Sequence, residues 1–351
     1  MADSSSPDPA LRPDLPDSMQ AIVLRRRPEG LLSWDDVELV TQPLPTLAEG
    51  EALMQVIYLS MDATVRTWLN RGEGYLPAVE IGEVVRCSGI GHIVATNCDA
   101  YAVGDLVYSL PGWATYGVVR DDLFTTKLDP DTPLRPMMSV FGGTGAAAYF
   151  GLLDVGKPQP GETVVVSAAG GATGSLVGQI AKIVGCRVVG IAGSDDKCAW
   201  VTEELGFDGC INHRTEDVAE RLRALCPDRV DVYFDNVGGP ILDDVLGALN
   251  QRGRVVLCGA IAVYNDTGRP AGPGNYLNLI SRRGRMEGFI TLDYWDRFDE
   301  CFTQLKTWAA EGKLRWREEL VDGLDRCPDA LNMLFTGANT GKVLVQVVPE
   351  P

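Results

Sequence analysis

One stretch, residues 162–197, constrains the fold of this 351-residue chain more than any other. Residues 163–167 form a short β-branched run suited to a buried strand, and residues 187–192 form a second such run. Between them, a turn of small residues leads into apolar positions at helical spacing, and Gly185 suits the end of that helix. The order strand, turn, helix, strand predicts a βαβ unit of a parallel sheet.

The turn in this unit carries the pattern A-x-G-x-x-G at Ala169, Gly171 and Gly174. Small residues at the first two positions let the backbone approach a pyrophosphate, and the third lets the helix pack closely on the strand. The start of the helix adds unpaired N–H groups and the positive end of the helix dipole. A merely tight βα turn is the alternative, but the flanking elements stand in the order that a dinucleotide site requires.

The end of the second strand predicts which dinucleotide is bound. An NAD site usually has an acid there, about 20 residues after the glycines, to bind the ribose 2′-hydroxyl. Here the strand ends at Ser194, and the acids Asp195 and Asp196 come slightly late. Lys197 follows them, and Arg214 lies beyond the next apolar segment. A missing acid and available cations favour a 2′-phosphate, hence NADPH; alternatively, Lys197 is only a solvated residue of the next helix.

Composition and charge limit the other classes of function. The content of 45% apolar and 23% charged residues is typical of a globular protein, and the length suits two domains. The net charge of −17 argues against nucleic acid or an anionic membrane as a partner. No apolar run approaches the roughly 20 residues that span a bilayer.

The first twenty residues are rich in Pro, Asp and Ser, and they lack the basic start and apolar centre of a signal peptide. This composition predicts a disordered tail over residues 1–20. Without an export signal we expect a cytoplasmic protein whose nine cysteines are reduced.

The pattern of strands and helices changes near residue 140. Residues 21–138 consist of short strands interrupted by glycines, which predicts a β-rich domain. Residues 139–292 alternate strands and helices, which predicts a doubly wound parallel sheet. Residues 293–351 contain a helix at 298–311 and a closing strand at 342–348, which we expect to return to the β-rich domain. The predicted fold class is therefore α/β.

Six segments resemble the zinc-independent branch of the medium-chain dehydrogenase/reductase superfamily, with its prostaglandin reductases, leukotriene B4 dehydrogenases and curcumin-type double-bond reductases. Between residues 149 and 345 these segments are YFGLLDVGKPQPGETVVVSAAGGATGS, AGSDDK, FDNVGG, CGAIAVYN, MEGFITLDY and GANTGKVLV. The resemblance implies a GroES-like β-barrel catalytic domain, a Rossmann domain and a homodimer. It also implies zinc-independent, NADPH-dependent reduction of an alkene conjugated to a carbonyl, in a small-molecule enone or polyenone.

The resemblance further implies roles for single residues. The expected cofactor-binding set is Gly170, Gly171, Ala172, Thr173 and Gly174 at the pyrophosphate, Ser194, Lys197, His213 and Arg214 towards the 2′-phosphate, Asn236, Cys258, Gly259, Ala260, Ile261, Phe289 and Ile290 along the rest of the cofactor, and the late Asn339. Tyr264 matches the tyrosine near the reacting end. It is our candidate donor to the enolate oxygen that hydride addition creates. A ribose hydroxyl or water could donate instead, and Tyr264 would then be only a buried aromatic.

Several positions depart from the family pattern. Thr64 stands where the family's Asp-Pro-Tyr-Met-Arg motif has its tyrosine, and Ala146 and Ala147 replace a Met-Thr pair. His213 replaces a tyrosine near the 2′-phosphate. Thr64 remains a second catalytic candidate, as a substrate contact rather than an acid. These altered positions at the reacting end of the cofactor leave three alternatives to simple reduction. The first is a reductive cyclase that adds hydride to a polyene intermediate and then forms a C–C bond. The others are a quinone reductase and a nucleotide sensor that catalyses no reaction.

Zinc-dependent catalysis is the remaining alternative to the zinc-independent mechanism within this fold. A catalytic zinc takes three ligands from Cys, His and Asp or Glu, and the chain has two histidines. His92 lacks the glutamate that follows the zinc-site histidine in the superfamily, and the family's cysteine-rich zinc lobe is absent. We therefore expect no metal and interpret His92 as an ordinary residue at a strand edge.

Overall fold

The computed structural model describes the backbone of residues 10–11 and the whole of residues 15–72, 74–266 and 268–350. This part of the chain forms two compact units. Unit 1 takes the described residues of Met1–Met138, Leu320–Asn332 and Val343–Pro351, and unit 2 takes those of Ser139–Glu319 and Met333–Lys342. The sequence predicts a single return to the first domain from residue 293, whereas residues 293–319 belong to unit 2 and the chain crosses between the units three times after residue 293.

The first part of unit 1 is mainly antiparallel β-structure. Its elements are β1 (Ala10–Leu11), β2 (Ser18–Leu24), β3 (Val37–Pro43), β4 (Glu51–Met61), α1 (Thr64–Trp68), β5 (Gly89–Asn97), β6 (Leu106–Ser109), β7 (Tyr116–Arg120), β8 (Thr126–Leu128) and α2 (Leu134–Met138). β2 and β3 pair with each other in a sheet of their own. β5 passes close over β4, because a Cβ on Gly91 would lie 1.9 Å from the carbonyl oxygen of Gln55.

Unit 2 is built on a six-stranded parallel sheet. Its strands are β9 (Thr163–Ser167), β10 (Arg187–Ala192), β11 (Gly209–Asn212), β12 (Val230–Asp235), β13 (Leu249–Leu257) and β14 (Arg285–Gly288), in the spatial order β11-β10-β9-β12-β13-β14. All neighbouring strands run parallel, and β9 is buried along its whole length. The order reverses beside β9, which confirms the predicted α/β class with a doubly wound sheet.

Helices of unit 2 connect these strands. They are α3 (Gly143–Phe150), α4 (Ala172–Val184), α5 (Asp195–Ala199), α6 (Val218–Leu225), α7 (Gly239–Ala248), α8 (Asn278–Arg282) and α9 (Phe298–Ala310). π-Helical turns extend α3 over Gly151–Gly156 and α5 over Trp200–Glu204, and 3₁₀ turns lie at Ile261–Val263, Gly274–Leu277, Thr291–Arg297 and Leu324–Arg326. Within the described ranges, no helix has the length and apolar run that a bilayer crossing requires.

The last elements are β15 (Glu318–Asp322), α10 (Cys327–Thr336) and β16 (Lys342–Gln346). They complete a sheet whose main path is β15-β16-β4-β5-β6-β8, with β7 also on β4 and β1 on β5. β16 pairs antiparallel with β4, which confirms the predicted closing strand.

Three sequence-based expectations differ from the structure. The predicted disordered tail over residues 1–20 is wrong at residues 18–20, which begin β2, and at Ala10–Leu11, which pairs with β5. Residues 1–9 and 12–14 lie outside the described residues. The sequence predicts no strand at β14. His92 is not at a strand edge, because β5 lies between β4 and β6 and pairs His92 with Gln55 and Leu106.

Candidate cofactor and active site

The glycine turn between β9 and α4 closes tightly. Ala168 takes a left-handed conformation with φ 50°, and its carbonyl oxygen accepts the N–H of Gly171 at 2.8 Å. A Cβ on Gly174 would lie 2.4 Å from that same oxygen, so only glycine lets α4 begin this close to β9. The N–H groups of Ala172, Thr173 and Gly174 open the helix and have no partner within it. Unpaired N–H groups at the start of a helix are donors of the kind that bind phosphate.

A late segment of the chain lies against this turn. The N–H of Gly341 donates to the carbonyl oxygen of Gly170 at 2.9 Å, and Gly341 forms a parallel bridge with Gly171. Asn339 is buried, and its Nδ2 donates to the carbonyl oxygen of Gly341 at 2.9 Å. The structure therefore places Asn339 beside the glycine turn, although the two are far apart in sequence.

Two cations converge near Gly337. Lys197 Nζ donates to the carbonyl oxygen of Gly337 at 2.9 Å, and Arg214 Nη2 donates to that of Thr336 at 2.6 Å. A Cβ on Gly337 would lie 3.1 Å from Arg214 Nη2 and 3.8 Å from Lys197 Nζ, so both charges lie within 4 Å of one point. Burial, followed by the charge of Arg214, lowers the pKa of the Lys197 amine. An anion at this point would be stabilised by both cations.

Ser194 and His213 stand next to these cations. Ser194 caps α5, and its Oγ accepts the N–H of Lys197 at 3.3 Å, which fixes the backbone that carries the lysine. A Cβ on Gly193 would lie 3.3 Å from His213 Nε2 and 3.4 Å from Arg214 Nε. Burial, followed by the charge of Arg214, lowers the pKa of His213, so its imidazole is neutral at pH 7.

The acid that follows the end of β10 is engaged elsewhere. Asp195 Oδ1 accepts a hydrogen bond from Asn212 Nδ2 at 2.6 Å, which ties α5 to β11. An NAD site needs a carboxylate directed at the ribose. The charged side chains gathered near Gly193 and Gly337 are instead the cations Lys197 and Arg214.

The turn after β12 is built around a buried carboxylate that the sequence analysis missed. Asp235 is fully buried, and its Oδ1 accepts hydrogen bonds from the Tyr233 hydroxyl at 2.8 Å and from the N–H groups of Val237 and Gly238 at 3.0 and 2.9 Å. Its Oδ2 has no hydrogen-bond partner within the described part of the chain, and burial raises its pKa. The signal was present in F-D-N-V-G-G, because an Asp before a turn often binds the N–H groups that follow it.

Asn236 and the segment after β13 meet at this turn. The N–H of Asn236 donates to Ser167 Oγ at 2.9 Å, and its Nδ2 donates to the carbonyl oxygen of Ser167 at 2.8 Å. The N–H groups of Cys258 and Gly259 donate to the carbonyl oxygen of Asp235 at 2.9 and 3.1 Å. Desolvation raises the pKa of Cys258 to about 12, so its thiol stays protonated at neutral pH.

Tyr264 folds back onto the same segment. Its phenol oxygen accepts the N–H of Ala260 at 3.0 Å, and a Cβ on Gly259 would lie 3.2 Å from that oxygen. Ile261 is tied to the neighbouring turn, because its N–H donates to the carbonyl oxygen of Asn236 at 3.3 Å. A phenol can accept a hydrogen bond through its oxygen and donate one through its O–H.

Phe289 and Ile290 directly follow β14 and are half-buried. Leu257 and Gly288 are register partners, so Phe289 leaves the sheet beside Cys258. The Phe289 ring packs edge-on against Phe234, with ring centroids 6.3 Å apart. The structure thus brings the predicted cofactor-binding residues of unit 2 to the carboxyl edge of one sheet, where doubly wound folds bind dinucleotides.

Thr64 belongs to unit 1, where it begins α1. Its Oγ1 lies 2.8 Å from the hydroxyl oxygen of Tyr75, within hydrogen-bond distance. Arg66 is 1% exposed and donates to the carbonyl oxygens of Pro28 and Gly30 at 2.9 and 3.2 Å, which holds α1 against the preceding loop. The pairing of Thr64 with Tyr75 is not predicted by the sequence, since hydroxyls of loops follow no periodic pattern.

No metal centre is evident in the residues that the structure describes, where no three His, Cys, Asp or Glu side chains are placed to hold an ion. His92 lies within a sheet, and its Nε2 has no hydrogen-bond partner there. The absence of a metal from the reaction stays a prediction.

Comparisons with known proteins match both units. Residues 20–126 match the family described as the N-terminal domain of oxidoreductase, and residues 172–307 match the zinc-binding dehydrogenase family. The NADPH-dependent curcumin reductase of Escherichia coli (strain K12) is 40% identical over 93% of this chain and 96% of its own length. Prostaglandin reductase 1 of Rattus norvegicus is 37% identical over 92% of this chain and 97% of its own. The solved structure of CurA from Vibrio vulnificus in complex with NADPH has 39% identity and a TM-score of 0.89, covering 94% of this chain and all of the other.

Proposed function

Because this chain belongs to the medium-chain dehydrogenase/reductase superfamily, in the branch of the curcumin and prostaglandin reductases, we propose that it is an NADPH-dependent oxidoreductase that reduces an alkene conjugated to a carbonyl group. The observation that carries the proposal is the convergence of Lys197 and Arg214 on one point near the glycine turn. The substrate class is a small enone or polyenone, since curcumin, the named substrate of one relative, has alkenes conjugated to carbonyls.

The residues of unit 2 fit NADPH. The pyrophosphate would lie on the N–H groups that open α4, where Gly174 keeps helix and strand close. Lys197 and Arg214 would pair with the 2′-phosphate through charge-assisted hydrogen bonds, flanked by Ser194 and His213. The nicotinamide half would lie along residues 258–261 and 289–290, with Asn236 in the turn beneath and Asn339 near the phosphates. Bound NADPH supplies the hydride that adds to the β-carbon of the substrate.

Tyr264 is the proposed donor to the carbonyl oxygen. Reduction of an enone adds a hydride to the β-carbon and a proton to the α-carbon, and negative charge develops on the carbonyl oxygen between the two events. A donor aimed at that oxygen stabilises the transition state. The hydrogen bond from Ala260 N–H to the phenol oxygen of Tyr264 supports the role, because it orients the ring and polarises the O–H.

Thr64 and Tyr75 are the proposed source of the proton. A threonine hydroxyl is too weak an acid for this step, but the phenol of Tyr75 lies 2.8 Å from it. The phenol of Tyr75 therefore lies next to Thr64, the position at which the family motif has its tyrosine. Desolvation raises the pKa of Tyr75, which keeps the phenol protonated at neutral pH. We propose that the proton passes from Tyr75, directly or through Thr64, to the α-carbon.

Substitution of each hydroxyl tests this path. Tyr75→Phe should lower kcat for a conjugated enone by about 100-fold, the scale of general acid catalysis, and leave NADPH affinity unchanged. Thr64→Val should show a smaller loss, and Tyr101→Phe, which removes another unit 1 phenol, should show none. An unchanged kcat in Tyr75→Phe excludes Tyr75 from the path. NADPH binding without oxidation by any conjugated carbonyl would favour a nucleotide sensor, and faster turnover of quinones than of enones would favour a quinone reductase.

A reductive cyclase is the second candidate, and α3 carries the observation that favours it. Ala147 is half-buried, so its small side chain leaves space that the family's threonine would fill. Ala146 is fully buried, so its side chain leaves no space that is open to a substrate. A larger polyene intermediate could then receive the hydride and close a C–C bond before protonation. Both reactions add two hydrogens to the substrate, so products formed with NADPH and polyenones are compared by NMR as well as by mass. Products that carry two extra hydrogens but show no new ring by NMR contradict cyclisation.

We also propose a homodimer formed through β14. β14 is the last strand of its sheet and all four of its residues are exposed. Exposed apolar side chains surround it: Tyr276 54%, Leu277 57%, Ile280 75% and Met286 36%. A bare strand edge beside an apolar patch is usually covered, and a second copy paired β14 to β14 about a two-fold axis would cover both.

The cytoplasm is the proposed location. All nine cysteines are free thiols, five of them buried, which suits a reducing compartment. Fractionation of cells that express the tagged protein checks the location, and recovery outside the cytoplasm would contradict it.

A further inference from the structure

Strain is concentrated at one place in unit 2. Five non-glycine residues of the described chain have a positive φ, a conformation that is unfavourable for a residue with a Cβ. Three of them, Lys157, Arg252 and Arg283, have φ of 50°, 60° and 51° and line the same cavity. Strained backbone of this kind persists where the surrounding structure holds it, and it clusters at functional sites.

Two of these cations belong to a repeated turn. Residues 252–254 and 283–285 both read Arg-Gly-Arg, and the last arginines, Arg254 and Arg285, are register partners in the parallel pair of β13 and β14. The two turns stack on one leucine, because a Cβ on Gly253 or Gly284 would lie 2.5 or 2.9 Å from side-chain atoms of Leu249. Glycine at both positions therefore lets the turns approach each other and gathers their arginines on one surface.

The cavity that results has a volume of about 490 Å³ and is lined by five cations: Lys157, Arg252, Arg254, Arg283 and Arg285. Arg254 is anchored, since its Nη1 donates to Glu162 Oε1 and its Nε to the carbonyl oxygen of Gly156, both at 2.9 Å. Among the described residues, the carboxylates that form ion pairs with these cations are Glu162 and Glu287. An excess of positive charge thus remains at this cavity in a chain whose net charge is −17.

The cavity is separate from the proposed cofactor site. Arg254 and Arg285 precede Leu257 and Gly288 on their strands, and the cofactor-facing segments begin only after Leu257 and Gly288. The cations therefore lie at the amino edge of the parallel sheet, whereas doubly wound folds bind dinucleotides outside the carboxyl edge. NADPH at its proposed site does not account for them.

We propose that this cavity is a second anion site, which binds a small phosphorylated molecule of the diphosphate class. Guanidinium groups match phosphate oxygens bidentately. Arg254 is engaged by Glu162 and by backbone carbonyl oxygens, so the other three arginines and Lys157 are the cations that suit a ligand with two phosphate groups. The volume lies in the range of small-molecule sites, so the diphosphate can carry an organic group. A bound anion relieves the repulsion among five cations, and it stabilises the folded chain as any ligand of the native state does.

Inorganic diphosphate is the probe that tests the site. The full-length protein is first saturated with NADPH, so that the phosphate contacts of Lys197 and Arg214 are filled, and is then titrated with diphosphate by calorimetry at constant ionic strength. We expect saturable binding of one diphosphate per chain and a Tm that rises with its concentration. The proposal is overturned if no saturable binding occurs, or if chloride at equal ionic strength raises Tm as much.

A matched pair of double variants distinguishes the loss of specific diphosphate binding from an effect of the protein's net charge. Arg252→Gly with Arg283→Gly removes two charges and relieves two strained residues, so the fold should be retained. We expect diphosphate to bind at least about tenfold more weakly, with NADPH affinity unchanged. Arg71→Gly with Arg269→Gly removes the same charge from two exposed loops and should leave diphosphate binding unchanged. Equal weakening in both double variants would show a net-charge effect and overturn the proposal.

Discussion

The Lys197 amine is held by the carbonyl oxygen of Gly337 and faces a second cation, Arg214. Both its burial and this neighbour disfavour its charge, which is why its pKa is lowered. The 2′-phosphate of NADPH would compensate for both effects, and the 2′-hydroxyl of NADH would not. At the scale of single residues, we therefore expect the choice between the two cofactors to depend on this lysine and its neighbour.

Lys197→Ala tests that choice. We expect NADPH affinity to fall about 10- to 100-fold, the loss of one hydrogen bond between charged groups, while NADH affinity changes less than about twofold. Lys182→Ala is the control, because Lys182 pairs with Asp208 at 2.9 Å near the far end of α4. Fluorescence titration with each cofactor measures both affinities. An equal effect on NADPH and NADH, or none on either, would contradict the assignment.

The same lysine predicts a pH dependence. Its pKa is lowered before the phosphate binds and is raised by the phosphate, so NADPH binds best below the lowered pKa. Affinity should fall as pH rises through that value, at a lower pH than for an ordinary lysine. The NADH titration should be flat over the same range, and Lys197→Arg should remove the fall because arginine stays charged.

At the scale of elements, the position of α4 depends on one close approach. Gly174→Ala would place a Cβ 2.4 Å from the carbonyl oxygen of Ala168, so α4 must move away from β9. We expect a loss of about 2–4 kcal/mol in the free energy of unfolding, measured with urea, and NADPH affinity at least about tenfold lower. Gly143→Ala, at the start of α3, has no atom within 4 Å of the new Cβ and should be neutral. Similar effects of the two substitutions would contradict the argument.

Elements with strong local signals were predicted well. β9 and β10 match their predicted bounds, since both are β-branched runs between glycine turns. β14 was missed because Arg-Met-Glu-Gly has no strand pattern, and it forms only because β13 lies beside it. The tail prediction failed at residues 18–20, where the polar Ser18 and Gln20 flank the buried Met19 and begin a strand that β3 stabilises.

The residues of the candidate site were proposed one by one from the sequence, but their arrangement was not. Because Lys197 and Arg214 are cations, the sequence suggested a phosphate there. Their approach to one point near Gly337 depends on a segment that lies far along the chain. The hydroxyl pair of Thr64 and Tyr75 depends on loop geometry that no spacing encodes. Asp235 could have been found, because its place before a glycine turn is a local signal.

At the scale of the whole molecule, the proposed dimer is directly testable. Ile280→Asp places a charge in the middle of the apolar patch beside β14 and should give a monomer in light scattering after size exclusion. Leu123→Asp is the control, because Leu123 is 44% exposed in unit 1 and Ile280 is 75% exposed in unit 2. The wild type should dimerise more tightly as salt screens its net charge of −17. A monomeric wild type, or an Ile280→Asp protein that remains dimeric, would contradict the interface.

The pairing of β4 with β16 has a consequence for synthesis on the ribosome. β4 ends at Met61, and its partner Val343 belongs to one of the last strands made. At 5–20 residues per second, the ribosome needs roughly 15–60 s to make the chain between them. During that time the edge of a buried, apolar strand lacks its partner and is open to association with other nascent chains. The glycine turn waits a shorter time, roughly 10–35 s, for Gly341, which is made just before Val343, so both units are completed almost together.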